Sequence, residues 1–262
     1  MGYRAFSLIE LSIVLVILGL LTGGILAGQS LIRASELRAA VSEYQRYITA
    51  TQSFRDKYMA LPGDMSNATS FWGKDNTNCS GNTGTAATPG TCNGNGDGIM
   101  NVGAAINATG EIFRYWQQLA LAGLIEGTYS GLAGPATPIT GADTVLGTNA
   151  PTSRLGRGGW GVLAHNHALG DSCVYANNYG NMLAFGEQTT GNIPINPLLK
   201  PEEAWNIDTK LDDGKPGAGR VWVRDYYGWG NANGCTTSQS VTISQPQAPL
   251  ALNTTQINVS CF

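Results

Sequence analysis

Residues 6–32 read FSLIELSIVLVILGLLTGGILAGQSLI. From Leu11 to Ile32 no side chain carries a charge, and a helix of about 20 apolar residues crosses a bilayer. The stretch is a membrane span by length. One carboxylate, Glu10, sits just inside its front edge between Ile9 and Leu11. A carboxylate in hydrocarbon is costly, so this position asks for a partner charge.

A cleaved secretory signal has a basic start, an apolar core of about 7–15 residues and a small-residue cleavage site behind it. The apolar run here is longer, and Gln29, Ser30 and Leu31 lead directly into further helix-forming sequence. An uncleaved anchor fits better. The order of residues at the front is more specific: Tyr3, Arg4 and Ala5, then FSLIEL over residues 6–11. This order resembles the type IV pilin and type II secretion pseudopilin family, whose precursors carry a short basic leader, a small residue before the cut and F-[ST]-L-I-E-L after it. The resemblance implies that a prepilin peptidase cuts between Ala5 and Phe6 on the cytoplasmic side and N-methylates the new Phe6 amine. Glu10 then becomes the fifth mature residue, which in this family neutralises the N-terminal amine of a neighbouring subunit in a filament. The physical logic is independent of the family, because a carboxylate and an ammonium are each costly alone in low dielectric and tolerable as a pair. The sequence departs from the family in two places. Ala5 stands where Gly is usual, and the mid-span proline is absent; Gly19, Gly23, Gly24 and Gly28 supply weak helix points instead, each costing about 1 kcal/mol against Ala.

Across all 262 residues, 42% are apolar and 13% charged, with a net charge of −3 and 35 glycines. That composition suits a loop-rich exported domain behind an anchor, with no basic excess to call for nucleic acid. Arg4 precedes the span while Arg33 and Arg38 follow it, so charge alone sets orientation thinly. The resemblance places the N-terminus in the cytoplasm and the head in the periplasm.

Residues 33–60 keep a helical period. Leu37, Val41, Tyr44, Ile48, Thr51 and Tyr58 line one face, with Arg38, Glu43, Arg46 and Lys57 largely off it. The span therefore continues as an amphipathic half that packs under a head, and Leu61-Pro62-Gly63-Asp64 ends it. Residues 64–108 lack periodicity. Within them Asn93, Asn95 and Asp97 put oxygen side chains at alternate positions with Gly98 at the sharp turn, the front half of a calcium loop of EF-hand type. The closing acid is missing: the twelfth position is Ala104 and the next acid is Glu111. A calcium loop and a metal-free Gly-Asn turn both stay open.

Residues 109–128 predict a second helix, with Ile112, Trp116, Leu119 and Gly123 on one side beside Phe113, Ala120 and Leu124. Phe113, Trp116 and Leu119 read as core. The LPGD start and the FRYWQQLALAGLIEG helix resemble larger pilin-like subunits. From residue 158 onward, short apolar runs at 160–164, 173–175 and 182–185 predict an antiparallel sheet. His165 and His167 alternate beside Asp171 and Cys173; they read as a metal pair or as two polar residues facing solvent. A short helix over 197–211 empties into IDTKLDDGKPGAG, similar to a C-terminal segment of pilin-like sequences, ahead of a strand at 220–224. Asp212 and Asp213 before Gly214 form a second calcium candidate, or an Asp-Gly turn whose carboxylates accept backbone amides.

Five cysteines follow the span, none in C-x-x-C spacing, so a zinc ribbon or thioredoxin-type centre is unsupported. In an oxidising compartment they pair and one is left over. Cys79 with Cys92 would staple the Gly-rich loop. Cys235 with Cys261 would close the C-terminal segment, as a disulfide does in many pilins, with Cys173 free; Cys173 with Cys235 is the competing pairing.

The expectation is an α+β pilin fold in three parts: a cleaved leader over 1–5, an N-terminal helix over 6–60 (6–32 in the membrane, 33–60 amphipathic) and a head over 61–262 with an antiparallel sheet and loop-rich insertions. The implied role is a structural subunit of a type IV pilus-like filament, held in the inner membrane and polymerised through its helix. The implied partners are other pilin-like subunits, the prepilin peptidase, a membrane platform protein and a cytoplasmic assembly ATPase. The alternative is a minor pseudopilin of a type II secretion system. The family's largest-headed pseudopilin typically lacks the acid that Glu10 provides and is excluded. A membrane-anchored periplasmic enzyme or binding protein is the reading from another class; two histidines on one short run, with no G-x-S-x-G or H-E-x-x-H, offer it no catalytic set. No cofactor is required by this reading, and structural Ca2+ at either acidic loop stays an open candidate.

Overall fold

A computed structural model describes residues 8–75, 79, 90–100, 110–134, 143–166, 178–215, 219–224 and 254–258. Helix α1 (Leu8–Tyr58) runs 51 residues without a break, about 77 Å at 1.5 Å per residue. Polar side chains in its apolar half fold back onto their own backbone: Ser12, Thr22 and Ser30 hydroxyls donate to the carbonyls of Ile9, Leu18 and Ala27, each at 2.9 Å. Such back-bonding needs no water. The helix stops where Met59 takes a positive φ of 55°. Gly63 then carries the turn at φ +88°, and a Cβ there would lie 2.4 Å from the Glu111 carbonyl oxygen. Only glycine lets the turn close against the backbone at Glu111.

The head is built on the second half of α1. Helix α2 (Thr69–Trp72) is one turn that the sequence pattern does not announce, and α3 (Glu111–Leu121) is shorter at both ends than predicted. Ile112, Phe113, Tyr115, Trp116 and Leu119 of α3 are buried, as the periodicity requires of a core helix. Tyr47 on α1 stands edge-on between Trp116 and Trp160, with ring centroids 5.0 and 5.7 Å away. Farther along α1, Phe54 and Tyr58 pack against Trp72 of α2. Thr51 and Tyr115 share a buried hydroxyl pair at 2.5 Å. These contacts correct the expected face. The deepest line of α1 is Ala40, Glu43, Tyr47, Ala50, Thr51 and Phe54, while Leu37, Val41, Tyr44, Ile48 and Tyr58 flank it half-buried. Glu43, placed off the face by its charge, lies inside. Its Oε2 accepts the Trp160 indole N–H at 2.9 Å and its Oε1 the Arg154 N–H at 3.0 Å. The buried indole had to be satisfied, and a carboxylate on the helix serves it and the part-buried Arg154 amide together.

Strands β1 (Gly158–Asn166) and β2 (Asn178–Glu187) pair antiparallel with Trp160 opposite Phe185 and a register shift at His165/Asn166. Helix α4 (Pro201–Leu211) follows, then β3 (Val221–Arg224) and β4 (Thr254–Asn258). The described sheet has the order β1-β2-β4-β3, and β4 runs parallel to both β2 and β3. The head is therefore α+β as expected, but its sheet is mixed where an antiparallel one was expected. The reason is α4: a helical crossover carries the chain back to the starting end, so β2 and β3 point the same way and β4 slots between them. One face of β1–β2, with Trp160, Val162 and Phe185, meets α1 and α3. The other carries Gly159, Gly161 and Gly186, where added Cβ atoms would strike Leu146, Pro194 and the Pro194 carbonyl. Irregular chain packs directly on that glycine face and closes a third layer.

Candidate functional site: the exposed helix and two acidic loops

The first half of α1 has the chemistry of a surface meant to be covered. It alone among the described helices is long and apolar enough to cross a membrane, and none of its most apolar 18-residue window is buried by the rest of the chain. Leu8 is 88% exposed, and the large apolar side chains from Ile9 to Ile32 are all exposed with it. A Cβ placed on Gly19, Gly23, Gly24 or Gly28 meets nothing within 4 Å, so no packing among the described residues requires those glycines. Glu10 lies in the first turn of α1 inside this apolar surface. At the far edge Arg33 leaves the apolar surface for the head. Its guanidinium donates two 2.6 Å hydrogen bonds to the Glu203 carboxylate and one of 3.1 Å to the Leu198 carbonyl. Arg33 thereby holds the Glu203 carboxyl below its usual range and clamps the start of α4 to α1.

The first acidic loop is stapled by the expected disulfide between Cys79 and Cys92, with Cα atoms 5.3 Å apart. Its three predicted ligands separate. The Asn93 Oδ1 accepts the Thr69 N–H at the start of α2. Asn95 turns on itself, its Oδ1 accepting the Asp97 N–H while its side-chain amide donates to Asp97 Oδ2. Asp97 Oδ1 accepts the Ile99 N–H. What the fold brings to Asp97 is Asp64 and Glu111, with one carboxylate oxygen of each within 4.8 Å of the others. Asp64 is buried and spans the loop, Oδ1 accepting the Gly96 N–H at 2.7 Å and Oδ2 the Gly98 N–H at 2.8 Å. Glu111 accepts the Asn95 N–H. Backbone amides thus hold both Asp64 oxygens and one oxygen each of Asp97 and Glu111. Burial raises the Asp64 carboxyl above its usual value, partly offset by those amides. Asp64 escaped sequence reading because it belongs to the LPGD turn, about thirty residues before the loop it holds.

The second acidic loop differs. Asp212 Oδ2 accepts the N–H groups of Arg220 and Val221, and Asp213 Oδ1 accepts the Lys215 N–H at 2.9 Å. The fold adds Asp208, one helical turn before Asp212, and oxygens of all three lie within 4.8 Å of one another. Asp208 is 1% exposed, and among the described residues neither of its carboxylate oxygens has a hydrogen-bond partner. Burial first, then the charge of Asp213, push its carboxyl up to about 6; the nearby Gly214 N–H, short of hydrogen-bond geometry, opposes this, and Asp212 adds to it. The i, i+4 spacing of Asp208 and Asp212 was the available sequence signal.

Ala5, Phe6, His167, Asp171, Cys173, Cys235 and Cys261 lie outside the described residues, and His165 is placed only by its backbone at the end of β1 opposite Gly180. Comparison with protein-family models, curated proteins and solved structures finds no match to this chain.

Proposed function

We propose that this chain is a structural subunit of a type IV pilus-like filament. It is stored in the inner membrane through the first half of α1 with the head in the periplasm, and polymerised by burying that half against neighbouring subunits. One observation carries the reading: a single unbroken helix whose second half is the spine of the head and whose first half is apolar, uncovered and dotted with glycines that no packing among the described residues requires. Lipid covers such a surface in storage, and packing against like helices, with small residues allowing close approach, covers it in a polymer. Glu10 sets the register by pairing with the Phe6 amine of a neighbour after cleavage at Ala5. The prepilin peptidase, platform protein and assembly ATPase are the partners this role requires. No catalytic step is assigned to the head.

The test is to shear expressing cells, collect polymers and read the N-terminal peptide by mass spectrometry. A methylated Phe6 terminus in the sheared fraction is the expected result. Methylated Phe6 confined to the membrane fraction moves the protein to a minor subunit or secretion pseudopilin, and an intact Met1 reduces it to an anchored head. Glu10→Gln is expected to abolish the sheared polymer while leaving the protein membrane-bound; unchanged polymer yield would sink the register role.

A further inference from the structure

The contrast between the two acidic loops points to a metal site in one of them. We infer that Asp208, Asp212 and Asp213 bind a calcium ion at the C-terminal end of α4, joining that helix to the start of β3. Three carboxylates gathered at a turn are not by themselves a site, as the first loop illustrates: its buried acid, Asp64, is satisfied by two backbone amides. Asp208 is the opposite case. It is as buried as a core leucine, yet among the described residues both carboxylate oxygens lack a hydrogen-bond partner, a condition that native proteins rarely tolerate without an ion or a proton. No lysine or arginine forms an ion pair with any of the three acids among the described residues.

The donor set selects the ion. Among the described residues all the ligands are carboxylate oxygens, with neither His nor Cys in the cluster, which favours a hard cation over zinc. Ca2+–oxygen bonds of about 2.3–2.6 Å let ligand oxygens lie up to roughly 5 Å apart across the ion, and the spacing of 4.8 Å or less falls in that span. Asp212 and Asp213 each spend one oxygen on backbone amides, which orients the other. Burial grades from Asp208 inside through Asp212 to the exposed Asp213, giving the ion an entry side and room for the waters that complete its shell. Glycines fit the wrap: a Cβ on Gly219, at φ +70°, would collide with the Asp212 carboxylate. The bound ion would lock the corner whose other end Arg33 ties to α1, so calcium would stiffen the head next to the point where the helix leaves it.

The experiment uses the full chain in detergent micelles, stripped with EDTA, desalted, and melted with CaCl2 or MgCl2 at equal millimolar concentration. Calcium is expected to raise the melting temperature by about 5 °C, with the shift lost in Asp208→Asn and Asp212→Asn and retained in Asp97→Asn. Terbium luminescence sensitised through Trp205, one turn before Asp208, provides a readout on the wild-type fold. It should appear on adding TbCl3, be displaced by calcium, and vanish in Trp205→Phe and in the surface variant Asp213→Asn. Four results overturn the inference: no calcium shift in the stripped wild type, an equal magnesium shift, a shift removed by Asp97→Asn instead of Asp212→Asn, or terbium emission indifferent to Asp213→Asn. None of these readouts depends on filament formation, so the site stands or falls separately from the proposed function.

Discussion

The two halves of α1 share one backbone and one helical geometry yet obey opposite solvents. In the second half, side chains sort by face: Phe54 and Tyr47 go inward, Arg38 and Lys57 outward, and the few polar groups inside are each matched, Thr51 with Tyr115 and Glu43 with Trp160. In the first half there is no sorting, since apolar residues occupy every side and none is covered. The difference teaches that helix formation settles neither half's environment. The second half is held by a head that fits one face of it; the first is apolar all round, which is stable only in lipid or among other helices.

The sharpest way to break this comparison is to delete equivalent bulk from each half. Phe54→Ala, at a side chain with 0% exposure, is expected to destabilise the head by about 3–5 kcal/mol. Leu15→Ala should leave head unfolding unchanged, as followed by near-UV circular dichroism in micelles. A matching loss in Leu15→Ala would mean that the first half packs on the head after all. Next in size is the staple. Reducing Cys79–Cys92, or replacing both with Ser, reopens a loop spanning 13 positions, for which chain entropy predicts about 3 kcal/mol; denaturant titration with and without reductant measures it.

A smaller effect sharpens the comparison at Glu43. Glu43→Leu strands the Trp160 indole in the core and releases the part-buried Arg154 amide, an expected loss of about 1–3 kcal/mol, whereas Glu43→Gln keeps one acceptor and loses less; Trp fluorescence during unfolding separates the two. The smallest effect belongs to the boundary between the halves. Arg33 lowers the Glu203 carboxyl below its ordinary 4.5, so the pair's contribution is complete above that pH and fades as pH falls through the lower folded value. Because the pair is partly exposed, Glu203→Gln should cost under about 1 kcal/mol at neutral pH, and its melting curve should converge with the wild type in acid. A gap that widened on acidification would reverse the assigned sign.

How much of this was legible in the chain depends on range. The span, the amphipathic half, the stop at the LPGD turn and the core side of α3 come from spacings of three, four and seven within one helix, which neighbouring residues impose on one another. Charge misled at Glu43, since a hydropathy pattern counts a carboxylate as solvent-facing and cannot see the two donors waiting across the head. In the first acidic loop the alternate oxygens at 93, 95 and 97 were visible, but Asp64 was not, and it is Asp64 that accepts the Gly96 and Gly98 N–H groups and holds the loop. The local staple was foreseeable because few residues separate Cys79 from Cys92.

From residues alone follow a membrane-length apolar helix, its amphipathic continuation, an α+β head and the acidic turn at Asp212. Only the tertiary structure decided that β4 runs parallel between β2 and β3, that Glu43 is a core residue and that Asp208 is buried beside two other carboxylates with no hydrogen-bond partner among the described residues. Local spacing is set by the fixed rise and twist of helix and strand. Which distant groups share a buried volume is set by how the whole chain closes, and no single stretch of sequence carries that information.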